Sequence, residues 1–272
     1  MLTADQETAL IGLVREVAAA EIMSRFRALA PADIQSKAAH DDLVTEADTA
    51  SEAAITEGAK LALPGALVVG EEAIAADPSL MDQLPSSPLT VMIDPVDGTW
   101  NFANGLAVFG VILSVQRAGE TVFGLLYDPV LDDWVMARKG GGAWFCRPGD
   151  APQRLEVSTP GAPGMQTGYA SIFLFPPDQR AEAAKAMQSY TRVSSIRCSC
   201  HEYRLLTQGK IDFVVNPTAK PWDHAAGALA VAEAGGVVEL IDGRAYDPTR
   251  NTGQVIAAAA PKVLDELRGW FA

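Results

Sequence analysis

Apolar residues near the start of the chain recur at the spacing of an amphipathic helix. Leu10, Val14 and Val17 share one face, and Thr3 stands before them at a position suited to a helix cap. Pro31 cannot continue a helix, because it has no N–H to donate. The pattern therefore predicts one long helix that ends before residue 31.

A second helix is predicted from Thr45 onward, after a polar segment that reads SKAAHDDLV. Ile55 and Leu61 are assigned to its buried side. The pair Pro64-Gly65 ends it, since both residues interrupt helices.

Short alternating runs typical of strands fill the middle of the chain. The strand candidates are ALVVGEE, LTVMID, VFGVILSVQ, ETVFGLLYD, DDWVMAR and GAWFC, and the last four are joined by turn residues that predict an antiparallel meander. From residue 151 strands and helices alternate, with IDFVVN and QVIAAA as strands and DHAAGALAVAEAGG as a helix of small residues. We predict a mixed α+β and α/β fold with two halves, residues 1–150 and 151–272.

Composition limits the classes of partner. The chain has 272 residues and a formal net charge of −13, which disfavours nucleic acid because phosphate backbones require a basic face. Three cysteines without a CxxC motif favour a reducing compartment. The first residues lack the cationic start of a secretory signal, and no apolar run is long enough to cross a bilayer. We therefore expect a cytoplasmic protein with no nucleic-acid or membrane partner.

Several familiar kinds of active site are disfavoured. The three histidines are not paired at metal-ligand spacing, which argues against zinc and copper. No G-x-S-x-G motif marks a serine nucleophile. The run from Gly140 to Gly142 lies between two strand candidates, so it indicates a hairpin turn rather than a phosphate loop.

Carboxylates remain as the candidate chemistry, and they stand where predicted elements end or begin. These residues are Glu71 and Glu72 after LVVG, Asp94 after VMI, Asp97 after PV, and Asp223 at the start of a predicted helix. All-oxygen clusters suit hard cations, above all Mg²⁺. For Asp223 alone, or for the two glutamates alone, helix capping or turn formation remains an alternative.

The stretch IDPVDGTWNF concentrates this chemistry. Pro95 fixes the backbone so that Val96 can present its carbonyl, while Gly98 and Thr99 begin a predicted helix whose free N–H groups face an anion. A metal above the two aspartates and a phosphate on the helix N-terminus would each supply the charge that the other requires. Capping does not explain both acids together with the proline.

Three motifs, VVGEE, IDPVDGTWNF and PWDHAAG, closely resemble in order and spacing those of the inositol monophosphatase family of Mg²⁺-dependent, lithium-sensitive phosphatases. The upstream DDLVTEAD resembles the family segment before the first motif, so the resemblance extends from Lys37 to Gly236. It implies a layered αβαβα sandwich in which the N-terminal half carries most metal ligands and the C-terminal half closes the substrate pocket.

The resemblance also implies a site with two or three Mg²⁺ ions. Glu71, Asp94 and the carbonyl of Val96 match the ligands of one ion, and Glu71 is also counted as catalytic. Asp94, Asp97 and Asp223 match those of a second ion, with Asp94 bridging the two.

Further positions match residues that act on water and phosphate. Thr99 matches the hydroxyl that helps to orient the attacking water, together with Asp48. Gly98, Thr99 and the N–H of Trp100 match a phosphate cradle. Glu72 and Lys37 match positions behind the ligands, although a solvated surface lysine is an equal alternative for Lys37.

The alcohol pocket departs from the family pattern. Asn216 stands where members that prefer inositol phosphates often carry Glu, and Arg-Cys-Ser-Cys replaces the usual Gly-Ser/Thr-Ala-Ala. We predict that Asn216, Arg197 and Ser199 contact the alcohol part of the substrate.

The predicted function is Mg²⁺-dependent hydrolysis of a small polyol or sugar phosphate resembling inositol 1-phosphate, by in-line attack of metal-activated water. Fructose 1,6-bisphosphate, histidinol phosphate and 3′-phosphonucleotides remain alternative substrates. A regulatory protein that binds a partner on the same fold is the alternative class. Homodimerisation, common in such families, is left open.

Overall fold

The computed structural model describes residues 1–37 and 43–270. Helices and sheets alternate in layers, and three buried apolar clusters fill the spaces between successive layers. The helices are α1 (Ala4–Val17), α2 (Glu46–Ala62), α3 (Glu71–Ala76), α4 (Thr99–Ala103), α5 (Arg180–Met187), α6 (Ser199–Thr207), α7 (Pro221–Glu233) and α8 (Pro261–Gly269). The predicted mixed α/β fold is confirmed.

Helices α1 and α2 form the first outer layer. Thr3 caps α1 in a reciprocal capping box with Gln6, and Leu10 and Val14 are fully buried. A π-helical segment, Ala18–Met23, continues α1. In α2 Ile55 is buried as predicted, but the prediction for Leu61 was wrong, since its side chain is 83% exposed. Six residues span about 600° of helical rotation, which takes Leu61 away from the face of Ile55.

The larger sheet has seven strands in the spatial order β3-β4-β5-β6-β7-β8-β9. These strands are β3 (Leu67–Gly70), β4 (Leu89–Asp97), β5 (Gly110–Arg117), β6 (Glu120–Asp128), β7 (Asp133–Arg138), β8 (Gly142–Cys146) and β9 (Gln153–Arg154). All neighbouring pairs from β4 onward are antiparallel, as the turn residues predict. The first pair, β3 with β4, is parallel.

The smaller sheet has five strands in the order β11-β10-β12-β14-β13. They are β10 (Thr167–Ala170), β11 (Arg192–Ser194), β12 (Phe213–Asn216), β13 (Val237–Leu240) and β14 (Val255–Ala258). Helices α6 and α7 lie between the two sheets, and α5 and α8 cover the outer face of the smaller one. The first sheet ends at Arg154 and the second begins at Thr167; the division into halves at residue 150 stays a prediction.

Three local features differ from the sequence interpretation. Glu71 and Glu72 begin helix α3 rather than ending a strand. Asp223 is the third residue of α7, because Pro221 opens that helix. In the polar segment, β1 (Ile34–Ser36) pairs with β2 (Leu43–Thr45), while residues 38–42 lie outside the described part of the chain.

Candidate active site

A bulge in β4 places two aspartates on the same face of the large sheet. Asp94 pairs with Ile112 and Asp97 with Gly110, so β4 has one residue more than β5 between these pairs. Residues three apart in a regular strand point to opposite faces, and the extra residue corrects this. Pro95 fits the irregularity because it has no N–H for the ladder. Both carboxylates therefore face the layer of α6 and α7.

Three acids from three elements converge at this face. Glu71 opens α3, Asp94 lies on β4 and Asp223 lies in the first turn of α7, and one carboxylate oxygen from each falls within 4.8 Å of the others. No other cluster of three or more His, Cys, Asp or Glu this close occurs in residues 1–37 and 43–270. The side chain of Trp222, next to Asp223, packs in a small apolar cluster with Val69 of β3, which fixes α7 against the elements that carry the other acids.

The cluster concentrates negative charge where water is scarce. Asp94 is 2% exposed, and its pKa is raised well above the ordinary range by burial first and then by Glu71, Asp97 and Asp223. Burial also raises the pKa of Asp223. Burial and the neighbouring acids both disfavour the ionised carboxylates. A cation at this point would reduce the repulsion between the acids and compensate for their lost hydration.

Two lysine side chains lie beside the acids and offset part of their negative charge. The Nζ of Lys37 lies 3.2 Å from Glu71 Oε1 and 2.5 Å from Glu72 Oε1. Burial lowers the pKa of Lys37, but the two glutamates raise it by more, so the net shift is upward. The Nζ of Lys220 lies 3.7 Å from Glu71 Oε1. Lys37 is thus half-buried against the acids and is not a solvated surface lysine.

Asp97 occupies a different environment from the three clustered acids. Its Oδ2 accepts hydrogen bonds from the backbone N–H of Cys200 and, at 3.1 Å, from the Cys198 thiol, at the N-terminus of α6. Burial, followed by the charge of Asp223, raises the pKa of Asp97 to about 7, and the donors of α6 oppose that rise. The N-terminus of α6 thus compensates part of the charge of Asp97.

The Thr99 hydroxyl lies between the end of β4 and helix α2. It lies 3.1 Å from Asp48 Oδ1 and 2.9 Å from the carbonyl oxygen of Val96, and its single proton can be donated to one of them at a time. The other oxygen of Asp48 accepts the N–H and the hydroxyl of Thr45 at the start of α2. Burial raises the pKa of Asp48 to about 7, and the bonds from Thr45 oppose the rise.

Gly98 lets the chain turn from β4 into α4. Its φ is 89°, and an added Cβ would lie 2.9 Å from the carbonyl oxygen of Val108. Both the left-handed backbone and the crowding favour glycine here. Because the first N–H groups of a helix have no partner within it, Thr99 and Trp100 present donors beside the carboxylates, as a phosphate cradle requires.

The residues predicted for the alcohol pocket have separate roles in the structure. The Oδ1 of Asn216 accepts from the N–H of Thr218 at 3.1 Å and from its hydroxyl at 2.9 Å, which closes a turn. Arg197 is exposed, with φ 54° and its guanidinium carbon 4.5 Å from the centroid of the Trp100 ring. Ser199 is buried at the start of α6, where its backbone N–H favours ionised Asp97.

Sequence reasoning missed three buried polar residues around the site. Asn101 donates to the carbonyl of Val108, before β5, at 2.8 Å and to that of Ile196, before α6, at 2.7 Å, so it joins α4 to both segments. Glu202 is 1% exposed on α6, and burial raises its pKa to about 8. Glu52 binds the backbone at the start of α3. The one available signal was the spacing of Glu52, four residues after Asp48 on the same helical face.

The donor set fits a hard divalent cation. It consists of carboxylate oxygens, which Mg²⁺ prefers over nitrogen or sulfur ligands. Helix α4 begins five residues after Asp94 and offers backbone donors to an anion, and the hydroxyl of its first residue, Thr99, contacts Asp48. This combination suits a reaction in which a phosphoryl group is held and attacked by water.

Comparisons with known proteins show the family and the fold of this chain. The model of the inositol monophosphatase family matches residues 4–269. A relative from Pasteurella multocida, named Nus factor SuhB, is 31% identical over 236 residues, which cover 84% of this chain and 81% of the relative. A histidinol-phosphatase from Streptomyces coelicolor is 29% identical over 268 residues, or 96% of this chain and 95% of the relative. The solved structure of a Thermotoga maritima IMPase has a TM-score of 0.80 at 24% identity and covers 98% of both chains.

Proposed function

Because this chain belongs to the inositol monophosphatase family of phosphatases, we propose that it hydrolyses the phosphate monoester of a small polyol or sugar with the help of Mg²⁺. The observation that carries the proposal is the convergence of Glu71, Asp94 and Asp223 within 4.8 Å. The N-terminus of α4 begins five residues after Asp94 on the same segment. The proposed metal site and the proposed anion site would therefore adjoin each other.

Five residues would hold the metal ions, two or three in number. Glu71, Asp94 and the carbonyl of Val96 are assigned to one ion, and Asp94, Asp97 and Asp223 to a second. When bound, Mg²⁺ lowers the pKa of a ligated water and neutralises charge on the leaving oxygen. The raised pKa of Asp94 supports the assignment, because burial and the neighbouring acids disfavour its charge and a cation would offset both causes. The pKa of Asp223 is raised by burial, while Lys220 and Lys37 lower it.

The Thr99 hydroxyl and Asp48 would orient the attacking water. Asp48 is held by Thr45, and its free oxygen lies 3.1 Å from Thr99 Oγ1. When the Thr99 hydroxyl donates its proton to Asp48, its oxygen can accept a hydrogen bond from the attacking water. This arrangement lets water act directly, so no covalent phosphoenzyme is required.

Backbone donors of α4 would hold the phosphoryl oxygens. Gly98, Thr99 and Trp100 are assigned to this cradle, which the φ of 89° at Gly98 orients. Uncatalysed hydrolysis of phosphate monoesters is extremely slow, so much of the barrier must be lowered by preorganised charge of this kind.

The substrate is proposed as a small polyol or sugar phosphate without strict selection for inositol. Asn216, Arg197 and Ser199 are proposed as alcohol-side contacts, and the amide of Asn216 lacks the charge that a Glu would offer to hydroxyls. Because Asn216 Oδ1 closes a turn with Thr218, its NH₂ group would be the part that faces substrate. The name of the Streptomyces coelicolor relative keeps histidinol phosphate as an alternative.

A partner-binding role is the second candidate, and one finding favours it: the relative from Pasteurella multocida is named a Nus factor. The joint presence of five polar residues argues for catalysis, since a docking surface does not require them together: Glu71, Asp94, Asp97, Thr99 and Asp223.

A phosphate-release assay over a panel of esters distinguishes the enzymatic role from the partner-binding role and compares the candidate substrates. The panel contains inositol 1-phosphate, glycerol 2-phosphate, fructose 1,6-bisphosphate, histidinol phosphate and a 3′-phosphonucleotide, each with Mg²⁺ and with EDTA. We expect Mg²⁺-dependent turnover of several polyol and sugar esters. Absence of turnover on every ester would remove the enzymatic proposal, and strong preference for one nucleotide or amino-alcohol ester would replace the substrate class.

A further inference from the structure

The carboxylate of Glu52 caps the helix that carries Glu71. Its Oε2 accepts the N–H of Glu72 and its Oε1 accepts the N–H of Ala73, both at 2.8 Å. Glu52 is 7% exposed, so these bonds are shielded from water. Two of the first N–H groups of α3 are thus satisfied by one side chain from another helix.

This contact depends on Gly70, the residue before the two glutamates. A Cβ at Gly70 would lie 2.2 Å from Glu52 Oε2. The backbone of Gly70 is extended, with φ −123° and ψ 175°, a conformation that any residue adopts. Glycine is therefore needed here for the close approach of Glu52 and not for the backbone itself.

Helix α2 contacts both sides of the candidate site. Asp48 and Glu52 are four residues apart and lie on one face of α2. Asp48 contacts the Thr99 hydroxyl at the start of α4, and Glu52 holds the start of α3. One rigid helical turn thus sets the position of a proposed metal ligand relative to the hydroxyl that would orient water.

We propose that Glu52 is a positioning residue, which holds the start of α3 so that Glu71 stays at the metal site in register with Thr99. The proposal rests on the metal assignment in the proposed function. Residues that orient metal ligands typically contribute a factor of about 10–100 to metal affinity. Glu52 itself contacts backbone N–H groups and need not touch metal or substrate.

The first test is Glu52→Gln, measured by calorimetric titration of the full-length protein with Mg²⁺. An amide can accept one of the two N–H groups, but its NH₂ faces the other. We expect the Mg²⁺ dissociation constant to rise about tenfold or more. Turnover at saturating Mg²⁺ should fall much less than turnover at limiting Mg²⁺. Glu57→Gln, on an exposed site of the same helix, is the matched control and should bind Mg²⁺ as the unmodified protein does.

Gly70→Ala separates position from charge. The added methyl displaces the Glu52 carboxylate but keeps every charge near the site, and the backbone accepts alanine. We expect the same loss of Mg²⁺ affinity as in Glu52→Gln. If Gly70→Ala binds Mg²⁺ normally, the effect of Glu52→Gln is electrostatic and the proposal is overturned. Normal binding by both variants, or lower metal-free stability with unchanged affinity, overturns it as well.

The outcomes also separate this proposal from the proposed function. An unmodified protein that binds Mg²⁺ but hydrolyses no ester removes the activity and leaves the role of Glu52 measurable by calorimetry. An unmodified protein that binds no Mg²⁺ removes the metal assignment, and the role of Glu52 with it. If Glu52→Gln does not fold, Gly70→Ala decides alone.

Discussion

Two aspartates three residues apart in the chain meet different electrostatic surroundings. Asp94 faces Glu71 and Asp223, whereas Asp97 accepts hydrogen bonds from the N-terminus of α6. The difference explains how both carboxylates can occupy one buried edge. Neighbouring acids raise the pKa of Asp94, whereas backbone N–H groups of α6 offset part of the rise at Asp97.

Asp97→Asn tests this division. Above pH 7 the ionised Asp97 lowers the stability of the metal-free protein, because burial and Asp223 raise its pKa to about 7. Asparagine removes the charge and keeps an acceptor for Cys200. At pH 8 in EDTA the melting temperature should hold or rise, while Mg²⁺ affinity falls about tenfold. Unchanged Mg²⁺ binding by calorimetry would remove Asp97 from the ligands.

Thr99→Ala tests the proposed orientation of water. Removing the hydroxyl keeps the hydrogen bonds between Thr45 and Asp48. It removes the group that links Asp48 to the proposed position of the attacking water. Turnover at saturating substrate should fall about a hundredfold or more, with little change in KM. Thr99→Ser keeps the hydroxyl and should recover most of the rate. A variant that loses affinity for the ester but not turnover would indicate a role in holding phosphate or in capping α4.

Glu202→Gln tests a buried acid that takes no part in the proposed chemistry. Burial, then the charge of Asp97, raises the pKa of Glu202 to about 8, against about 4.3 in an unfolded chain. The folded state therefore retains a proton that the unfolded state has lost. The contribution of Glu202 to the free energy of unfolding is therefore fully present below about pH 4. It decreases as pH rises and is lost above about pH 8.

The variant should remove this part of the pH dependence. Urea unfolding in EDTA should give similar stabilities for both proteins at pH 5, and Glu202→Gln should be more stable by roughly 2 kcal/mol or more at pH 8.5. Equal slopes of stability against pH for the two proteins would contradict the assigned pKa.

At the scale of elements, the junction of β4 and α4 sets the geometry of the site. The bulge aligns Asp94 with Asp97, and the left-handed Gly98 turns the chain so that the N-terminus of α4 adjoins them. The bulge lies within β4, and Gly98 is the single residue between the strand and the helix.

Gly98→Ala should therefore damage the junction. The positive φ costs about 1–2 kcal/mol for alanine, and the Cβ would also meet the carbonyl of Val108 at 2.9 Å. We expect a loss of more than 2 kcal/mol in the free energy of unfolding. Gly149→Ala is the control, since Gly149 has φ 83° but no atom within 4 Å of an added Cβ. Equal losses in the two variants would show that crowding at Gly98 is unimportant.

Elements with a clear period could be predicted from the sequence, and contacts between elements could not. The meander follows from alternation and turn residues, and α7 follows from its run of small residues that ends at Gly235-Gly236. Leu61 lies off the buried face because six residues after Ile55 a helix has turned by about 600°. Apart from Pro95, no residue in the sequence indicates the bulge in β4. Glu52 and Glu202 resemble ordinary helix residues, since their partners at Glu72, Ala73 and Ile196 lie on other elements.

At the scale of the molecule, the site exists only once separate parts of the chain have packed together. The clustered acids stand at positions 71, 94 and 223, on three elements that are far apart in the sequence. A ligand that binds this assembly and not the unfolded chain stabilises the whole fold. Among the described residues no helix is both long and apolar enough to span a membrane.

The central claim is that the cluster of Glu71, Asp94 and Asp223 beside α4 is a Mg²⁺-dependent phosphatase site. The most direct test is phosphate release from inositol 1-phosphate and glycerol 2-phosphate across a Mg²⁺ titration, for the unmodified protein and for Asp94→Asn. We predict saturable activation of the unmodified protein, none in EDTA, and a loss of at least about a hundredfold in Asp94→Asn while its circular dichroism is unchanged. Phosphate release that persists in EDTA, or that survives in folded Asp94→Asn, would contradict the account.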